Sequence, residues 1–428
     1  MHSLQDSAPI ILLQRTEIMK YGLIGEHLGH SFSKVIHEML SDNLYELCEI
    51  PKDELDAFMK SHDFSGINVT IPYKESVIPY LDEIDDGARE IGAVNTIVNR
   101  NGRLVGYNTD FYGMRELILH AGISVSGRKA AILGSGGTSR TAMAVLKSLG
   151  AKEILKVSRS GRDGSITYEE LYDSHSDVEI IVNTTPLGMF PNTNDAAVDV
   201  SKFDSLSGVI DAVYNPLRSR LVLETREKGI AAEGGLYMLV AQAVRASEIF
   251  LGKKYASDTV DKIYNKIKGE KENIVLIGMP ASGKSTVGKI IAKKTGRTLV
   301  DTDELIVKKT GMEIAEIFSR FGEEKFREIE SEIIAEISDS SSLIIATGGG
   351  AVLRSENVHS LKKNGRLCFI DRPLENLVPT DSRPLSSSRE AIEKRYEERY
   401  GIYSSVCDLK INADCEAVAV AEKILENF

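Results

Sequence analysis

The stretch GMPASGKST occupies residues 278–286 and decides how the last third of the chain folds. It follows the apolar segment NIVLIG (273–278) and precedes TVGKIIAKKTG (286–296), which has the composition of a helix. This strand–loop–helix context is what G-x-x-x-x-G-K-[ST] needs to bind phosphate, because backbone N–H groups of the loop and of the helix N-terminus face the phosphate oxygens. Lys284 would add a positive charge and Ser285 a ligand for Mg²⁺. The stretch therefore predicts a nucleotide-binding domain, and a chance glycine-rich turn is the weaker interpretation.

Polar motifs follow this loop along the chain. They are VDTDELI (300–306), FGEEKFREIE (321–330), ATGGG (346–350), SRPL (382–385) and EERYGIY (397–403). Each has a plainer interpretation when taken alone, since aspartates after a strand are often helix N-caps and an arginine among acids is often a solvated ion pair. Three glycines at the end of an apolar strand, by contrast, permit close approach of a ligand to the backbone.

Together and in this order, the motifs over residues 273–428 resemble shikimate kinase. The resemblance implies that Asp303 holds the shikimate hydroxyls, that Arg327 and Arg399 clamp the carboxylate, and that Gly349 contacts the ring through its backbone. Such an arrangement suits phosphoryl transfer, which depends on positioning and charge neutralisation more than on a strong base.

The same resemblance assigns the nucleotide side of that site. Lys284 and Arg383 would act in catalysis, with Arg383 closing over the phosphates from a lid. ATP would be bound by Pro280, Ala281, Ser282, Gly283, Lys284, Ser285 and Arg383, and Mg²⁺ by Ser285 and Asp301. The stretch between Asp371 and Arg383 offers no match for the adenine-side arginine of some relatives, which leaves the contacts on that side open.

A second series of strands and helices comes before the first. The segments YGLIG (21–25), INVTIP (67–72), KAAILGSG (129–136), EIIVNTT (179–185) and GVIDAVY (208–214) have strand composition, and helical stretches such as 138–150 lie between them. Strands alternating with helices are typical of parallel α/β folds.

One of these strands ends in a glycine turn, AAILGSGGTSR (130–140). The turn departs from strict G-x-G-x-x-G and is a weak signal alone. At the end of the next strand, ILKVSRSGR (154–162) places Arg159 where NAD-binding folds place an acid, and an arginine there suits the 2′-phosphate of NADP. We therefore predict an NADP(H) site, with ordinary loop charge as the alternative for Arg159.

Upstream of that turn, four polar motifs end apolar segments: HSFSK (30–34), NVTIPYK (68–74), GAVNT (92–96) and GYNTD (106–110). Asparagine and threonine in such places are often turn formers, and Lys74 alone would most often be a surface lysine. A lysine and an aspartate near a cofactor fold nevertheless suggest carbonyl reduction, because hydride delivery to a carbonyl carbon needs a proton donor at the oxygen.

These motifs, with TTPLGM (184–189), DAVYNP (211–216) and GGLYMLVAQA (234–243), resemble shikimate dehydrogenase over residues 19–260. The resemblance implies that Lys74 is the catalytic acid/base and that Asp110 positions it and the reacting oxygen. Substrate would be bound by Ser31, Ser33, Thr70, Asn95, Asp110, Tyr214 and Gln242, and NADP(H) by Gly134, Ser135, Gly136, Gly137, Thr138, Ser158, Arg159, Ser160, Ala212 and Tyr237. The chain departs from the family at Lys34, Thr138 and Tyr237, where proline, alanine and glycine are usual.

The length of 428 residues allows two to three domains. The predicted fold is α/β throughout: an α/β substrate domain, a Rossmann domain for NADP, and a C-terminal P-loop NTPase-type kinase domain. We place a loose extension at residues 1–18, the substrate domain at 19–120 with helices of 235–260 returning to it, the Rossmann domain at 121–234, a linker at 261–272, and the kinase domain at 273–428.

Composition restricts the partners. Asp and Glu exceed Lys and Arg by 63 to 52, for a net charge of −11, which argues against nucleic acid. No apolar run is long enough to cross a bilayer, and Cys48, Cys368, Cys407 and Cys415 lack the spacing of a metal or disulfide framework. We therefore expect a cytoplasmic enzyme with small-molecule partners, and the sequence leaves its oligomeric state undetermined.

The favoured hypothesis is one bifunctional enzyme. 3-Dehydroshikimate would be reduced with NADPH to shikimate, and ATP would then phosphorylate the shikimate 3-hydroxyl. Two alternatives stay open: an NAD-dependent quinate/shikimate dehydrogenase fused to the kinase, and a chain in which one half is an inactive nucleotide-sensing module.

Overall fold

Apolar strands separated by helices build three β-sheets over the residues that the computed structural model describes, which are 19–28, 32–378 and 388–428. By its internal contacts the chain divides into two units, Met1–Gly113 with Val240–Thr259 and Met114–Leu239 with Val260–Phe428. The predicted extension 1–18 and the predicted site residues Ser31 and Arg383 lie outside the described residues.

The first unit is built on a six-stranded mixed sheet with the order β2-β1-β3-β5-β6-β4. Its strands are β1 (Met19–Gly25), β2 (Tyr45–Glu49), β3 (Phe64–Val69), β4 (Glu83–Ile84), β5 (Thr96–Arg100) and β6 (Arg103–Tyr107), and its helices are α1 (Ser33–Leu40), α2 (Leu55–Ser61) and α3 (Asp86–Ile91), followed by α4 (Thr109–His120). The first three strands are parallel, whereas β5 runs antiparallel to both of its neighbours. The two-residue turn at Asn101 and Gly102 joins β5 and β6 as an antiparallel hairpin, so this sheet is mixed.

The second unit contains two parallel sheets. The first has the order β11-β10-β9-β7-β8. Its strands are β7 (Lys129–Leu133), β8 (Glu153–Val157), β9 (Ile180–Asn183), β10 (Gly208–Asp211) and β11 (Ala231–Glu233), and the helices along this part of the chain are α5 (Gly137–Ser148), α6 (Tyr168–Ser174), α7 (Arg220–Glu227) and α8 (Leu236–Leu251). The strand order reverses between β7 and β9, and a doubly wound sheet binds ligands at such a switch point, beyond the carboxyl ends of its strands.

The other sheet of this unit has the order β13-β14-β12-β15-β16 and is also fully parallel. Its strands are β12 (Asn273–Ile277), β13 (Leu299–Asp301), β14 (Ile344–Ala346), β15 (Gly365–Asp371) and β16 (Leu409–Asn412). The helices are α9 (Thr259–Lys271), α10 (Lys284–Thr295), α11 (Thr302–Thr310), α12 (Ile314–Ser338), α13 (Ser355–Asn364), α14 (Arg389–Val406) and α15 (Ala417–Leu425). Apolar residues cover both faces of β12, which is buried throughout.

The predicted linker differs from what the structure shows. Residues 261–272 are helical up to Lys271 as part of α9, and Val260, Ile263, Tyr264 and Ile267 of this helix are buried. Those four residues recur at the spacing of one helical face, so the segment packs against its surroundings. The two units are separated after residues 113 and 239, and the predicted boundaries are 120 and 234. The second and third sheets belong to the same unit. Among the described residues, no helix has the length and apolar character needed to cross a membrane.

Candidate active sites

Lys74 and Asp110 form the central pair of the first unit. Lys74 follows the end of β3, and Asp110 lies in the first turn of α4. Their side chains are joined by a hydrogen bond of 2.6 Å from Nζ to Oδ2, and they are only 21% and 11% exposed. The backbone holds the lysine in place as well, since Val94 N–H donates to the Lys74 carbonyl at 2.8 Å. A partly buried ammonium beside a carboxylate can hold and transfer a proton at a substrate oxygen.

A polar network at the start of α4 contains the predicted substrate residues Asn95 and Gln242. Asn95 Oδ1 accepts hydrogen bonds from the Thr109 backbone N–H at 2.7 Å and from the Thr96 hydroxyl at 3.1 Å. Its Nδ2 donates to Gln242 Oε1 at 3.4 Å, and the Thr109 hydroxyl donates to the same oxygen at 3.4 Å. Thr109, which the sequence reasoning did not single out, therefore orients both amides.

Of the other residues predicted for this subsite, Thr70 and Ser33 can be placed. Thr70 follows β3, and its backbone N–H donates to the Ile24 carbonyl at 2.9 Å. A Cβ on Gly25 would lie 2.6 Å from Thr70 Cγ2, so glycine at that position makes room for the threonine. Ser33 is buried at the first residue of α1.

The predicted glycine turn lies in the second unit at the carboxyl end of β7. Gly134 has φ 110°, and a Cβ there would lie 2.7 Å from Thr184 Oγ1, which follows β9. Gly136 is the N-cap of α5, so Gly137 and Thr138 form the first turn of the helix. Ser135 and Gly136 are exposed. A helix N-terminus at a switch point is the arrangement that binds a pyrophosphate.

The loop after β8 carries Ser158, Arg159 and Ser160. Ser158 is buried, and its hydroxyl lies 2.7 Å from Ser165 Oγ and accepts from Gly161 N–H at 3.2 Å. Its hydroxyl therefore shapes the loop. Arg159 and Ser160 are exposed at the end of this strand, where a guanidinium is accessible to an anionic ligand.

Asp211, Ala212 and Tyr214 lie at the carboxyl end of β10. Asp211 is fully buried and accepts from Asn183 Nδ2 at 2.9 Å and from the Ser219 hydroxyl at 2.5 Å. Burial raises its pKa to about 6 despite these hydrogen bonds. A Cβ on Gly235 would lie 2.3 Å from the Ala212 carbonyl oxygen, so glycine is required there. Tyr214 is half-buried, and burial raises its pKa.

Tyr237 is oriented by aromatic packing. Its ring stacks on His120 with a centroid distance of 3.8 Å and meets Tyr264 edge to face at 5.2 Å. Its hydroxyl donates to Asp261 Oδ1 at 2.9 Å. Tyr264 and Asp261 belong to α9, so the residue that replaces the usual glycine packs on the helix leading into the kinase half.

The phosphate loop joins β12 to α10. Gly278, Ala281 and Gly283 have φ values of 144°, 63° and 96°, which bend the backbone around a central space. Lys284 is buried, and its Nζ donates to the Gly278 carbonyl at 2.9 Å, so the ammonium lies against the loop. Ser282 is buried, and within the described structure its hydroxyl has no hydrogen-bond partner, which fits a loop that binds phosphate oxygens.

Asp301 and Ser285 form the predicted metal pair. Ser285 Oγ donates to Asp301 Oδ2 at 2.7 Å. Asp301 is also the N-cap of α11, because its Oδ1 accepts from Asp303 N–H at 3.0 Å. Asp301 is therefore a helix N-cap, as the plainer interpretation predicts, and it also contacts Ser285 of the phosphate loop. Two hard oxygen donors suit Mg²⁺.

Arg327, which is predicted to clamp the substrate carboxylate, forms ion pairs with two glutamates. Arg327 Nη1 donates to Glu330 Oε2 at 2.6 Å and Nη2 to Glu323 Oε1 at 3.0 Å, and Glu330 is fully buried. Burial lowers the pKa of Arg327, but Glu330 and Glu323 outweigh it, so the net pKa is raised. Burial raises the pKa of Glu330, which Arg327 only partly offsets. Glu330 stands in the FGEEKFREIE motif, yet the sequence reasoning assigned it no role.

Arg399 and Gly349 are in direct contact. Arg399 Nη1 donates to the Gly349 carbonyl at 3.2 Å, and the Tyr403 hydroxyl donates to the same oxygen. A Cβ added to Gly348 would lie 2.8 Å from Asp303 Oδ1 and 2.7 Å from Glu330 Oε1. The structure thus brings together Asp303, Arg327, Gly349 and Arg399, which are spread over about 100 residues of sequence.

Known proteins match the N-terminal and the C-terminal parts of the chain separately. The family model "Shikimate dehydrogenase substrate binding domain" matches residues 23–97, and the model "Shikimate kinase" matches residues 280–428. Shikimate dehydrogenase (NADP(+)) of Clostridium perfringens is 39% identical over 266 residues, covering 58% of this chain and 98% of that protein. The corresponding protein of Halothermothrix orenii is 38% identical, with coverage of 54% and 91%.

Solved structures agree. A chorismate mutase/shikimate 5-dehydrogenase fusion protein from Clostridium acetobutylicum is 35% identical, with a TM-score of 0.56 and coverage of 59% of this chain and 97% of that one. Shikimate 5-dehydrogenase of Thermus thermophilus, solved with NADP(H) and shikimate, is 26% identical, with a TM-score of 0.53 and coverage of 58% and 99%.

The fold and the sites define a Rossmann-type oxidoreductase joined to a P-loop kinase. The chain belongs to the shikimate dehydrogenase family, and its residues 280–428 form a shikimate kinase domain.

Proposed function

We propose that this chain reduces 3-dehydroshikimate to shikimate with NADPH and then transfers a phosphoryl group from ATP to the shikimate 3-hydroxyl. It is a bifunctional enzyme of the shikimate pathway, which supplies chorismate for aromatic amino acid biosynthesis. The proposal rests above all on two sites that occur in one chain, the Lys74–Asp110 pair and the cluster of Asp303, Arg327 and Arg399 beside the phosphate loop. The product of the first reaction is the acceptor of the second.

In the reduction, Lys74 donates the proton to the carbonyl oxygen of the substrate. Asp110 holds the ammonium in place through the hydrogen bond of 2.6 Å. Asn95, Gln242 and Thr70 bind the ring hydroxyls, and Ser31 and Ser33 bind the carboxylate. NADPH supplies the hydride when bound. We also assign a role in substrate binding to Tyr214, which lies in the loop after β10.

NADP(H) fits the residues of the second unit. Gly134 leaves no side chain between β7 and Thr184, and α5 starts directly after the turn with Gly136 as its N-cap. Ser135, Gly137 and Thr138 would contact the pyrophosphate, and Arg159 would pair with the 2′-phosphate beside Ser158 and Ser160 of the same loop. Ala212 and Tyr237 would contact the cofactor on its nicotinamide side, Tyr237 through its backbone because its ring packs on His120 and Tyr264.

In the phosphoryl transfer, Arg327 and Arg399 orient shikimate through its carboxylate, Asp303 holds the reacting hydroxyl, and Gly349 supports the ring. Lys284, aided by Arg383 of the lid, neutralises charge on the phosphates. Pro280, Ala281, Ser282 and Gly283 bind ATP through their backbone and the unpartnered Ser282 hydroxyl. Ser285 and Asp301 would hold Mg²⁺, which neutralises phosphate charge.

One coupled assay tests the proposal. 3-Dehydroshikimate, NADPH, ATP and Mg²⁺ are supplied together to the purified chain, and the products are identified by mass spectrometry. We expect shikimate 3-phosphate to accumulate, with shikimate alone when ATP is left out. A product mixture without shikimate 3-phosphate refutes the bifunctional assignment. A preference for NADH in the same assay would instead favour the NAD-dependent alternative.

We further propose that the enzyme acts on small-molecule substrates in the cytoplasm and binds neither nucleic acid nor membrane. The net charge of −11 disfavours nucleic acid. Among the described residues, Cys48, Cys368, Cys407 and Cys415 form no disulfide, which is consistent with a reducing compartment.

A further inference from the structure

Arg218 connects the two sheets of the second unit. It lies in the loop that leaves β10, and its guanidinium donates to the carbonyls of Lys362 and Gly365, each at 2.8 Å. Its backbone N–H donates to the Lys363 carbonyl at 2.9 Å. These carbonyls lie at the C-terminal end of α13 and the start of β15. The last C=O groups of a helix lack partners within the helix and favour a positive charge, so Arg218 caps α13 from the dehydrogenase half.

Glu272 makes this connection an ion network. Its Oε1 accepts from Nη1 and Nη2 of Arg218 at 2.8 and 2.9 Å, and its Oε2 accepts from Nε and Nη2 of Arg366 at 3.1 and 2.9 Å. The Glu272 side chain is 1% exposed. Burial alone would raise the pKa of this carboxyl, but Arg218 and Arg366 hold it below its ordinary value. Glu272 stays ionised, and it directly precedes β12, the strand that leads into the phosphate loop.

A second connection lies at the neighbouring strand end. The buried ammonium of Lys363 donates to the Thr193 hydroxyl at 2.8 Å and to Asn194 Oδ1 at 2.5 Å. The Thr193 hydroxyl in turn donates to Asp339 Oδ1 at 3.0 Å. Thr193 is in the loop that leaves β9, so the kinase half binds the loops at the carboxyl ends of two adjacent strands, β9 and β10.

These two loops belong to the cofactor edge of the Rossmann sheet. The β9 loop begins with Thr184, which faces Gly134, and the β10 loop carries Ala212 and Tyr214. The C. perfringens relative is covered over 98% of its length by an alignment that takes in only 58% of this chain, so it has no counterpart of the kinase half. In this chain, therefore, residues of the kinase half, which the relative lacks, hold the β9 and β10 loops.

We propose that Arg218 and Thr193 are positioning residues for the dehydrogenase, and that the kinase half sets the NADP(H) affinity by fixing the β9 and β10 loops. The inference rests on the proposed function of the Rossmann half. Ordering these loops before the cofactor arrives lowers the conformational cost of binding, and loosening them raises it. The kinase site does not depend on the same loops, so loss of the contacts changes one activity and spares the other.

The test uses the full chain with Arg218→Met and, separately, Thr193→Val, which removes one hydroxyl and keeps the shape. The dissociation constant for NADPH is measured from the fluorescence of the cofactor. We expect binding weakened by about tenfold for Arg218→Met and less for Thr193→Val, in the range of ordinary coupling between sites. KM for NADPH should rise in parallel, while kcat of the dehydrogenase and both kinase constants stay within about twofold.

A matched control separates positioning from plain loss of stability. Val420→Ala truncates a buried residue in the kinase core, away from both loops, and lowers Tm. Its NADPH affinity should equal that of the parent. If Arg218→Met fails to fold, Thr193→Val and Glu272→Gln supply the measurement. If the folded variants bind NADPH as tightly as the parent does, this inference is wrong and the proposed function is unaffected. If the parent itself binds no NADPH, the proposed function is wrong as well.

Discussion

The ammonium of Lys74 lies 2.6 Å from the carboxylate of Asp110, although 36 residues separate them in sequence. The pair is only partly exposed, so the lysine has a defined position and a hydrogen-bond acceptor next to it. Substitution of either residue should therefore affect the dehydrogenase reaction specifically.

Lys74→Ala should remove the proton donor of the dehydrogenase. We expect kcat for reduction of 3-dehydroshikimate to fall by about 10²–10⁴-fold, the usual contribution of a positioned acid/base group. Shikimate kinase activity should be unchanged. The measurement is NADPH consumption and ADP formation in parallel on one preparation.

Lys284→Ala is the reciprocal variant. It removes the charge at the phosphate loop, so phosphoryl transfer should be lost and NADPH oxidation retained. If either substitution abolishes both activities, the two sites are not independent. If neither lowers its expected activity, the assignments of both lysines are wrong.

Arg159→Ala should change the cofactor preference. Removing a charge-assisted contact to the 2′-phosphate should raise KM for NADPH by about 10–100-fold and leave KM for NADH nearly unchanged. Arg162→Ala, three residues further along the same exposed loop, is the matched control and should have a much smaller effect. Equal losses with NADPH and NADH would contradict the role given to Arg159.

Much of this site organisation is predictable because each motif stands at a strand end. The segments that contain β7, β9, β10 and β12 were expected as strands, and the groups that follow them meet at one edge of each parallel sheet. Lys74 and Asp110 could be paired in advance because each follows an apolar segment in a motif of the family. Such patterns involve residues that are close in sequence, so they can be recognised before the three-dimensional structure is known.

Other features depend on pairings that local patterns do not encode. Glu272 and Arg218 lie 54 residues apart, and in the sequence each resembles any charged surface residue. The packing of the Tyr237 ring on Tyr264 of α9 is another such pairing. The apolar face of α9 could have been found by its helical spacing, but the lysines around it suggested a linker.

Gly350→Ala should impair the kinase alone. A Cβ at this position would lie 2.2 Å from both terminal nitrogens of Arg327, and that guanidinium is buried against Glu330 and cannot move freely. We expect KM for shikimate to rise by about tenfold or more, because the carboxylate clamp is displaced.

Gly401→Ala is the control for this substitution. Nothing lies within 4 Å of its added Cβ, and in the interior of α14 alanine should stabilise the helix by about 0.5–1 kcal/mol. Kinase constants equal to the parent are expected for this variant. An unchanged KM for shikimate in Gly350→Ala would show that Arg327 does not bind the substrate.

The pKa of Asp211 predicts how stability depends on pH. Burial raises it from an ordinary 3.8 to about 6 in the folded state. Between these values the folded state binds more protons than the unfolded state, so stability falls as pH rises through this window. The full effect, reached above pH 6, is about 3 kcal/mol from a gap of roughly two pH units.

Asp211→Asn removes this titration while every other ionisable group stays in both proteins. Differential scanning calorimetry of parent and variant at about pH 4 and about pH 7 gives the difference in Tm at each pH. We expect the parent to lose several degrees relative to the variant as pH rises. Ser219→Ala deletes one hydrogen bond to the ionised carboxylate. In this variant Tm should therefore fall further between about pH 4 and about pH 7 than it does in the parent. A Tm difference that is independent of pH would show that Asp211 ionises in the folded protein as readily as in water.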